Sequence, residues 1–327
     1  MTISCSSGIV LLQEFVNGVE KNSCMKKVLI FGGTGFIGMS LADHLKTNGF
    51  KPVLIARNKP KGELRHSFVK WDAVHLGDWV KELEGAHAIV NLTGKTVDCI
   101  KTPDNCDLIL RSRVDSTNII GKALHEVNDP PKIWIQMSTA HIYGDPPRQV
   151  CDESSSTGYG LAPFVGKAWE EAFLKSLPEG VRGVRLRTSF VIGKGGGALE
   201  SLKRIVKLGL GGTAGSGTQG MSWIHEYDMN QIILTAITNA KYDGFYIASA
   251  PNPVSNKVFM KRLRKEMRFP IGLPSPAFMI RFGAHNFFKT DPELVLYGRY
   301  VVPKRLLESG YAFKFPELED ALKDLLY

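Results

Sequence analysis

The chain has 327 residues, 43% of them hydrophobic, and a formal net charge of +9 at pH 7; that is enough apolar material for one large or two moderate cores and excludes a mainly disordered protein. No apolar run approaches the roughly 18 residues of a membrane span, and Cys5, Cys24, Cys99, Cys106 and Cys151 form no C-x-x-C pair, so reduced thiols, no bound metal and no membrane are expected. The densest basic run, Lys261, Arg262, Arg264, Lys265 and Arg268, reads as a solvated helix face, because no aromatics interleave with it and no nucleic-acid-binding motif accompanies it.

Residues 1–24 form an N-terminal extension. Its apolar patch, Ile9 to Leu12, is preceded by no basic residue, which argues against a secretory or mitochondrial leader. A cytoplasmic location is expected, with mitochondrion or nucleus left open.

From Lys26 short β-branched runs alternate with longer helical patterns: Val28 to Phe31, Val53 to Ala56, Ala88 to Leu92, Ile133 to Met137 and Val184 to Val191. Strand and helix in alternation predict an α/β fold, a Rossmann-type doubly wound parallel sheet over residues 25–192. The first helix is expected over Phe36 to Thr47, with Ile37, Leu41 and Leu45 at helical spacing and Gly49 placed to end it. Beyond Gly193 come glycine-rich loops, an amphipathic stretch from Ala198 to Leu208 and a helix after Asp228. Residues 193–327 are therefore expected to be mainly a smaller C-terminal substrate lobe, interleaved with the last strands of the sheet.

Gly33-x-Gly35-x-x-Gly38 follows the first strand directly and opens the first helix. In that setting glycines allow a tight turn and close backbone approach to a pyrophosphate, and the free N–H groups of the helix start face the anion. A dinucleotide is thus expected over Gly32, Gly33, Thr34, Gly35, Phe36, Ile37 and Gly38. Sites that prefer NAD place an acid at the end of the second strand to bind the ribose hydroxyls. Here Arg57 stands there, followed by Asn58, and a guanidinium favours the 2′-phosphate of NADP(H).

These glycines, together with Asn91-Leu92-Thr93-Gly94 and Ser138-Thr139-x-x-x-Tyr143-Gly144, resemble the extended short-chain dehydrogenase/reductases. Arg187-Thr188, Gly195-Gly196-Gly197, Trp223-Ile224-His225 and Val302-Pro303-Lys304-Arg305-Leu306 narrow the resemblance to the atypical "epimerase family" subgroup of NADP-dependent oxidoreductases. It implies that Asp72 and Asn91, Leu92, Thr93 and Gly94 lie near the adenine and its ribose. For Asp72 a simple loop-capping carboxylate is an equal alternative.

In the wider family a hydroxyl at the end of the fifth strand bonds the reacting oxygen. Ser138 and Thr139 both stand there and remain open alternatives. The usual Tyr-x-x-x-Lys pair is absent. Lys167 is near the lysine position, but Pro163 stands four residues before it. The one literal match, Tyr300-x-x-x-Lys304, contains Pro303, which breaks the helical geometry. Tyr143 is the nearest substitute donor, although a core or rim role suits it as well. His225-x-x-Asp228 lacks a third ligand for a metal, and Asp228 is expected to cap the following helix. The resemblance implies reduction or oxidation of a small carbonyl or alcohol with NADP(H), with a homodimer left open; the alternative is a non-catalytic NADP(H)-binding sensor.

Overall fold

The computed structural model describes residues 25–60, 62–146 and 149–327; the N-terminal extension lies outside the described residues. Seven strands make the central sheet: β1 (Lys27–Phe31), β2 (Lys51–Ala56), β3 (Ser67–Lys70), β4 (Ala88–Asn91), β5 (Ile133–Thr139), β6 (Arg182–Thr188) and β7 (Gly244–Ala248). Their order is β7-β6-β5-β4-β1-β2-β3, with every neighbouring pair parallel. This is the doubly wound α/β architecture expected from the sequence.

Val28, Leu29, Ile30 and Phe31 are all fully buried, which explains why β1 is a continuous apolar run rather than an alternating one. Successive side chains enter opposite cores. Val28 and Ile30 pack with Leu41 and Leu45 of α1 (Phe36–Thr47) and Ile232 and Ile233 of α5 (Glu226–Thr238). Leu29 and Phe31 pack with Ile120 and Leu124 of α2 (Pro103–Leu124) and Phe173 of α3 (Leu161–Ser176). Burying each such side chain contributes roughly 1.5–3 kcal/mol, so both helical layers are held mainly by apolar contact.

The expected strand Val184 to Val191 divides in two. Ser189 N–H still bonds Ala248 O beside the main sheet, whereas Phe190 N–H turns to Ser222 O. Phe190–Ile192 then pairs with Trp223–His225 in a separate two-stranded sheet. That small sheet, α4 (Gly197–Lys207), α6 (Asn256–Glu266) and α7 (Leu318–Leu326) enclose a third core around Trp223, Phe259, Leu263 and Leu322. Between these pieces the chain returns to the main sheet through α5 and β7. The basic run of α6 is partly solvated and partly tethered: Arg262 pairs with Glu319, and Arg264 donates to Gly211 O at 2.7 Å.

Sequence order around the sheet reverses between β1 and β4, whose last residues, Phe31 and Asn91, are register partners. Open parallel sheets bind ligands at the carboxyl ends of strands at such a reversal. The glycine turn follows β1 there.

Candidate functional site

Gly32 adopts φ +72°, and its N–H donates to Ile55 O at 2.8 Å, hooking the turn on to β2. A Cβ on Gly33 would stand 2.6 Å from Ile30 O, and one on Gly38 would stand 2.6 Å from Gly33 Cα. Close packing of α1 on the turn therefore requires glycine at both places. The first intrahelical bond runs from Met39 N–H to Gly35 O, so the amides of Phe36, Ile37 and Gly38 precede the helical ladder. No acid stands in the first turn of α1. Thr34, Gly35 and Phe36 at that end line a cavity of about 500 Å³ together with Met39, Ser40 and Asp43 further along the same helix and Lys194 and Glu226 from outside it.

Arg57 and Asn58 are exposed just beyond β2, and Arg57 has no ion-pair partner among the described residues. The second wall is Leu92–Gly94: a Cβ on Gly32 would lie 3.1 Å from the Leu92 carbonyl. Asn91 is itself fully buried, accepting from Thr93 N–H at 3.0 Å and donating to Gln136 Oε1 at 3.0 Å. It shapes the loop after β4 against which the glycine turn packs. Thr93 Oγ1 is buried and has no hydrogen-bond partner among the described residues. This orphaned hydroxyl and the glycine cradle fit a bound dinucleotide.

Asp72 takes the loop-capping alternative. Its Oδ1 accepts from Val74 N–H and His75 N–H, both at 2.9 Å, and Oδ2 meets His75 Nδ1 at 2.7 Å. Those bonds hold its carboxyl down at about 2, the backbone bond from His75 contributing most.

At the end of β5 the expected catalytic residues part company. Ser138 is buried and donates to Glu170 Oε1 at 2.7 Å. Glu170 also accepts from Arg187 Nε at 2.8 Å, Arg187 Nη2 at 2.9 Å and Arg185 Nη1 at 3.2 Å. Arg187 Nη1 in turn donates to the Tyr143 hydroxyl at 2.9 Å. Burial pushes the Tyr143 phenol up to about 12, against the opposing pull of Arg187. Ser138 and Tyr143 are both buried, and their polar atoms complete a clamp joining β5, α3 and β6, the core role that suited Tyr143. Lys167 is exposed on α3 and has no side-chain partner among the described residues; it does not join this group. Thr139 is half-buried, and its Oγ1 accepts from His141 N–H at 3.1 Å, leaving its own O–H to donate.

Several residues at this edge lie outside the sequence motifs. Ser40 Oγ donates to Glu226 Oε2 at 2.9 Å, Asn230 Nδ2 donates to Ser40 Oγ at 2.8 Å, and Glu226 Oε1 accepts from Lys194 N–H at 2.8 Å. This latch fastens α5 and the glycine loop after Ile192 to α1. The loop sits directly over Phe36: a Cβ on Gly196 would meet its ring at 2.5 Å. Arg113 lies under Gly94, its Cζ 3.0 Å from a Cβ built there, and 5.0 Å from the Trp169 ring centre. Burial lowers its guanidinium to about 10.

His225, rather than Asp228, caps α5, accepting from Tyr227 N–H at 3.0 Å through Nδ1. Asp228 lies within the helix and instead accepts from Lys314 N–H and Phe315 N–H, both at 2.9 Å. His225 also stacks on Phe315 with ring centres 4.0 Å apart.

Residues 28–248 match the model of the NAD dependent epimerase/dehydratase family, and residues 275–325 match a domain of unknown function, DUF1731. Mouse epimerase family protein SDR39U1 is 32% identical over 303 residues, spanning 92% of this chain and 99% of the mouse protein. The Arabidopsis thaliana chloroplastic homolog of SDR39U1 is 30% identical over 314 residues, 94% of this chain and 88% of that protein. The crystal structure of human SDR39U1 (isoform 2) with NADPH superposes with a TM-score of 0.81 at 28% identity, covering 92% of this chain and 99% of the human one.

Proposed function

The chain belongs to the NAD dependent epimerase/dehydratase family, and from that premise we propose that it is an NADP(H)-dependent oxidoreductase acting on a small carbonyl or alcohol substrate. The observation that carries the cofactor choice is Arg57, an exposed guanidinium without an ion-pair partner among the described residues, where an NAD site would hold an acid. A human relative crystallised with NADPH supports the same reading.

In this reading the amides of Phe36, Ile37 and Gly38 receive the pyrophosphate at the positive end of α1. Arg57, with Asn58 beside it, holds the 2′-phosphate. Thr93 gains a partner for its orphaned hydroxyl, and Gly94 lets the chain lie close to the ribose. The bound nicotinamide supplies hydride transfer. Thr139 donates a hydrogen bond to the substrate's reacting oxygen, because its lone pair is already engaged by the backbone and its O–H is not. Loss of such a positioned group costs on the order of 10²- to 10⁴-fold in rate.

A second reading, an NADP(H)-binding sensor without turnover, is favoured by the inward bonding of Ser138 and Tyr143. A screen of carbonyl compounds for substrate-dependent oxidation of NADPH separates the two. Turnover that falls in Thr139→Ala while NADPH affinity holds supports the enzyme. Tight NADPH binding with no turnover across a broad panel supports the sensor.

A further inference from the structure

Two stretches of the C-terminal lobe carry large apolar side chains that no core takes up. Residues 209–215 and 271–277 run side by side: Leu273 N–H donates to Gly209 O, Ser275 N–H to Thr213 O and Gly215 N–H to Ser275 O, each at 2.9 Å. Arg264 holds them from beneath through its bond to Gly211 O, and a Cβ on Gly272 would run into its guanidinium. Gly272 therefore faces the lobe, while its neighbours Ile271 and Leu273 are each 59% exposed. Leu208 and Leu210, on either side of Gly209, are exposed as well, and a Cβ on Gly209 would touch Ile271 Cγ2 at 4.0 Å, so the four share one patch. The next helix, Ala277–Gly283, extends it: Ala277 Cβ lies 4.0 Å from a Cβ built on Gly215. Helices are held mainly by burying an apolar face, yet no residue of this one is fully buried, and Phe278 is 71% exposed with Met279 beside it. A contiguous apolar patch of this kind marks an interaction surface.

The charge around the patch has one sign. From Ser201 to His225 and from Met267 to Thr290 the chain has six Lys or Arg and no Asp or Glu. Lys203 and Arg281 borrow acids from outside these stretches, Glu200 and Glu293. Arg204, Lys207 and Arg268 are exposed and have no ion-pair partner among the described residues. Lys207 directly precedes Leu208, and Arg268 stands three residues before Ile271, so free cations flank the apolar side chains. A second copy of the chain on this face would meet its own sign of charge, which opposes pairing. Apolar groups ringed by cations match instead a surface that is anionic at its face and apolar beneath it.

We propose that this patch docks on the surface of an anionic phospholipid bilayer, with Leu208, Ile271, Leu273 and Phe278 entering the headgroup boundary and Arg204, Lys207 and Arg268 meeting lipid phosphates. Contact at the surface needs no spanning segment, and no helix among the described residues is long and apolar enough to cross a membrane. Docking of this kind requires neither the cofactor nor turnover. Beyond the patch the chain fastens on the loops after β4 and β5, through Lys101 to Asp291 at 3.3 Å and Gly298 N–H to Asp145 at 2.7 Å. The docked lobe is thereby joined to the edge of the sheet that bears the glycine turn.

Sedimentation of the full chain with vesicles tests this, one set of phosphatidylcholine alone and one of equal parts phosphatidylcholine and phosphatidylserine. Binding to the anionic set is expected to be at least about tenfold tighter and to weaken with added salt, since each cation near such a surface contributes about fivefold. Lys207→Ala should lower it by about that factor, and Phe278→Asp by about tenfold or more, with NADPH affinity and the urea midpoint unchanged in both. The five native tryptophans are all buried, so the emission of Phe278→Trp reads the patch itself; it should bind as the unmodified chain does and shift to the blue on adding anionic vesicles. Equal binding to the two sets, no binding to either, full binding by Phe278→Asp, or an unmoved Phe278→Trp emission overturns the docking. A dimer that forms without lipid and that Phe278→Asp dissolves also overturns it, and gives the patch to a second copy of the chain.

Discussion

The glycine turn and the end of β5 lie on the same edge of one sheet, yet they use their polar groups in opposite ways. At the turn, the amides of Phe36, Ile37 and Gly38 precede the helical ladder, and among the described residues neither the Thr93 hydroxyl nor Arg57 has a partner. At the end of β5, Ser138, Glu170, Arg187 and Tyr143 bond one another until little capacity remains. Open polar groups constitute a binding surface that waits for a ligand, whereas a closed network stabilises the scaffold and resists recruitment into chemistry. The family's usual dyad is missing from the closed region, and the clamp occupies the interior beside it.

The sharpest way to break this contrast is Glu170→Ala, which strands the Arg187 and Arg185 guanidiniums. Removing one partner of a buried ion pair typically costs about 3–5 kcal/mol, so urea unfolding should show a loss of that size. The NADPH affinity of the molecules that remain folded should hold. A loss below about 1 kcal/mol would mean that the clamp is not structural.

The glycine turn was legible because its function lies in consecutive backbone atoms: seven residues after a buried strand determine the turn, the helix start and the close packing together. The first helix was legible for the same reason, its apolar spacing and Gly49 setting both ends. The clamp was not legible. Ser138, Tyr143, Glu170 and Arg187 come from different elements, and a hydroxyl at a strand end reads identically whether it faces substrate or a buried carboxylate. The latch from Ser40 to Glu226 spans 186 positions of sequence, and no local pattern signals it. Asp228 misled for a related reason: an acid near a helix start suggests a cap, but here His225 holds that place and Asp228 binds a distant strand of chain.

On the open side, Arg57→Glu should weaken NADPH by roughly 1.5–3 kcal/mol, the range for charged hydrogen bonds, and NADH by less. Fluorescence titration of both cofactors reads this directly. Unchanged NADPH affinity would move the 2′-phosphate elsewhere.

Acid should act on the closed parts of the molecule. Burial, opposed by Asp324, lowers the His225 imidazole to about 4, below its unfolded value, so between those values the unfolded chain binds more protons than the native one. The stability contribution is full above about pH 6.5 and is lost as the pH falls toward 4, by on the order of 3 kcal/mol. Unfolding measured across that window, with His225→Asn flattening the decline, checks the sign and the source.

The smallest effect expected is that of Ser138→Ala, which removes one hydrogen bond to Glu170 and leaves the three arginine bonds in place. A loss of about 1 kcal/mol in stability should accompany unchanged NADPH affinity. A marked drop in NADPH affinity instead would place Ser138 on the open side of the comparison.

The central claim is that the open turn, with Arg57 in place of an acid, selects NADP(H). Titrating the unmodified chain with NADPH and with NADH under identical conditions tests it most directly. NADPH is expected to bind at least about tenfold more tightly, the consequence of a single charged hydrogen bond near the low end of its range; equal affinities, or a preference for NADH, would contradict the account.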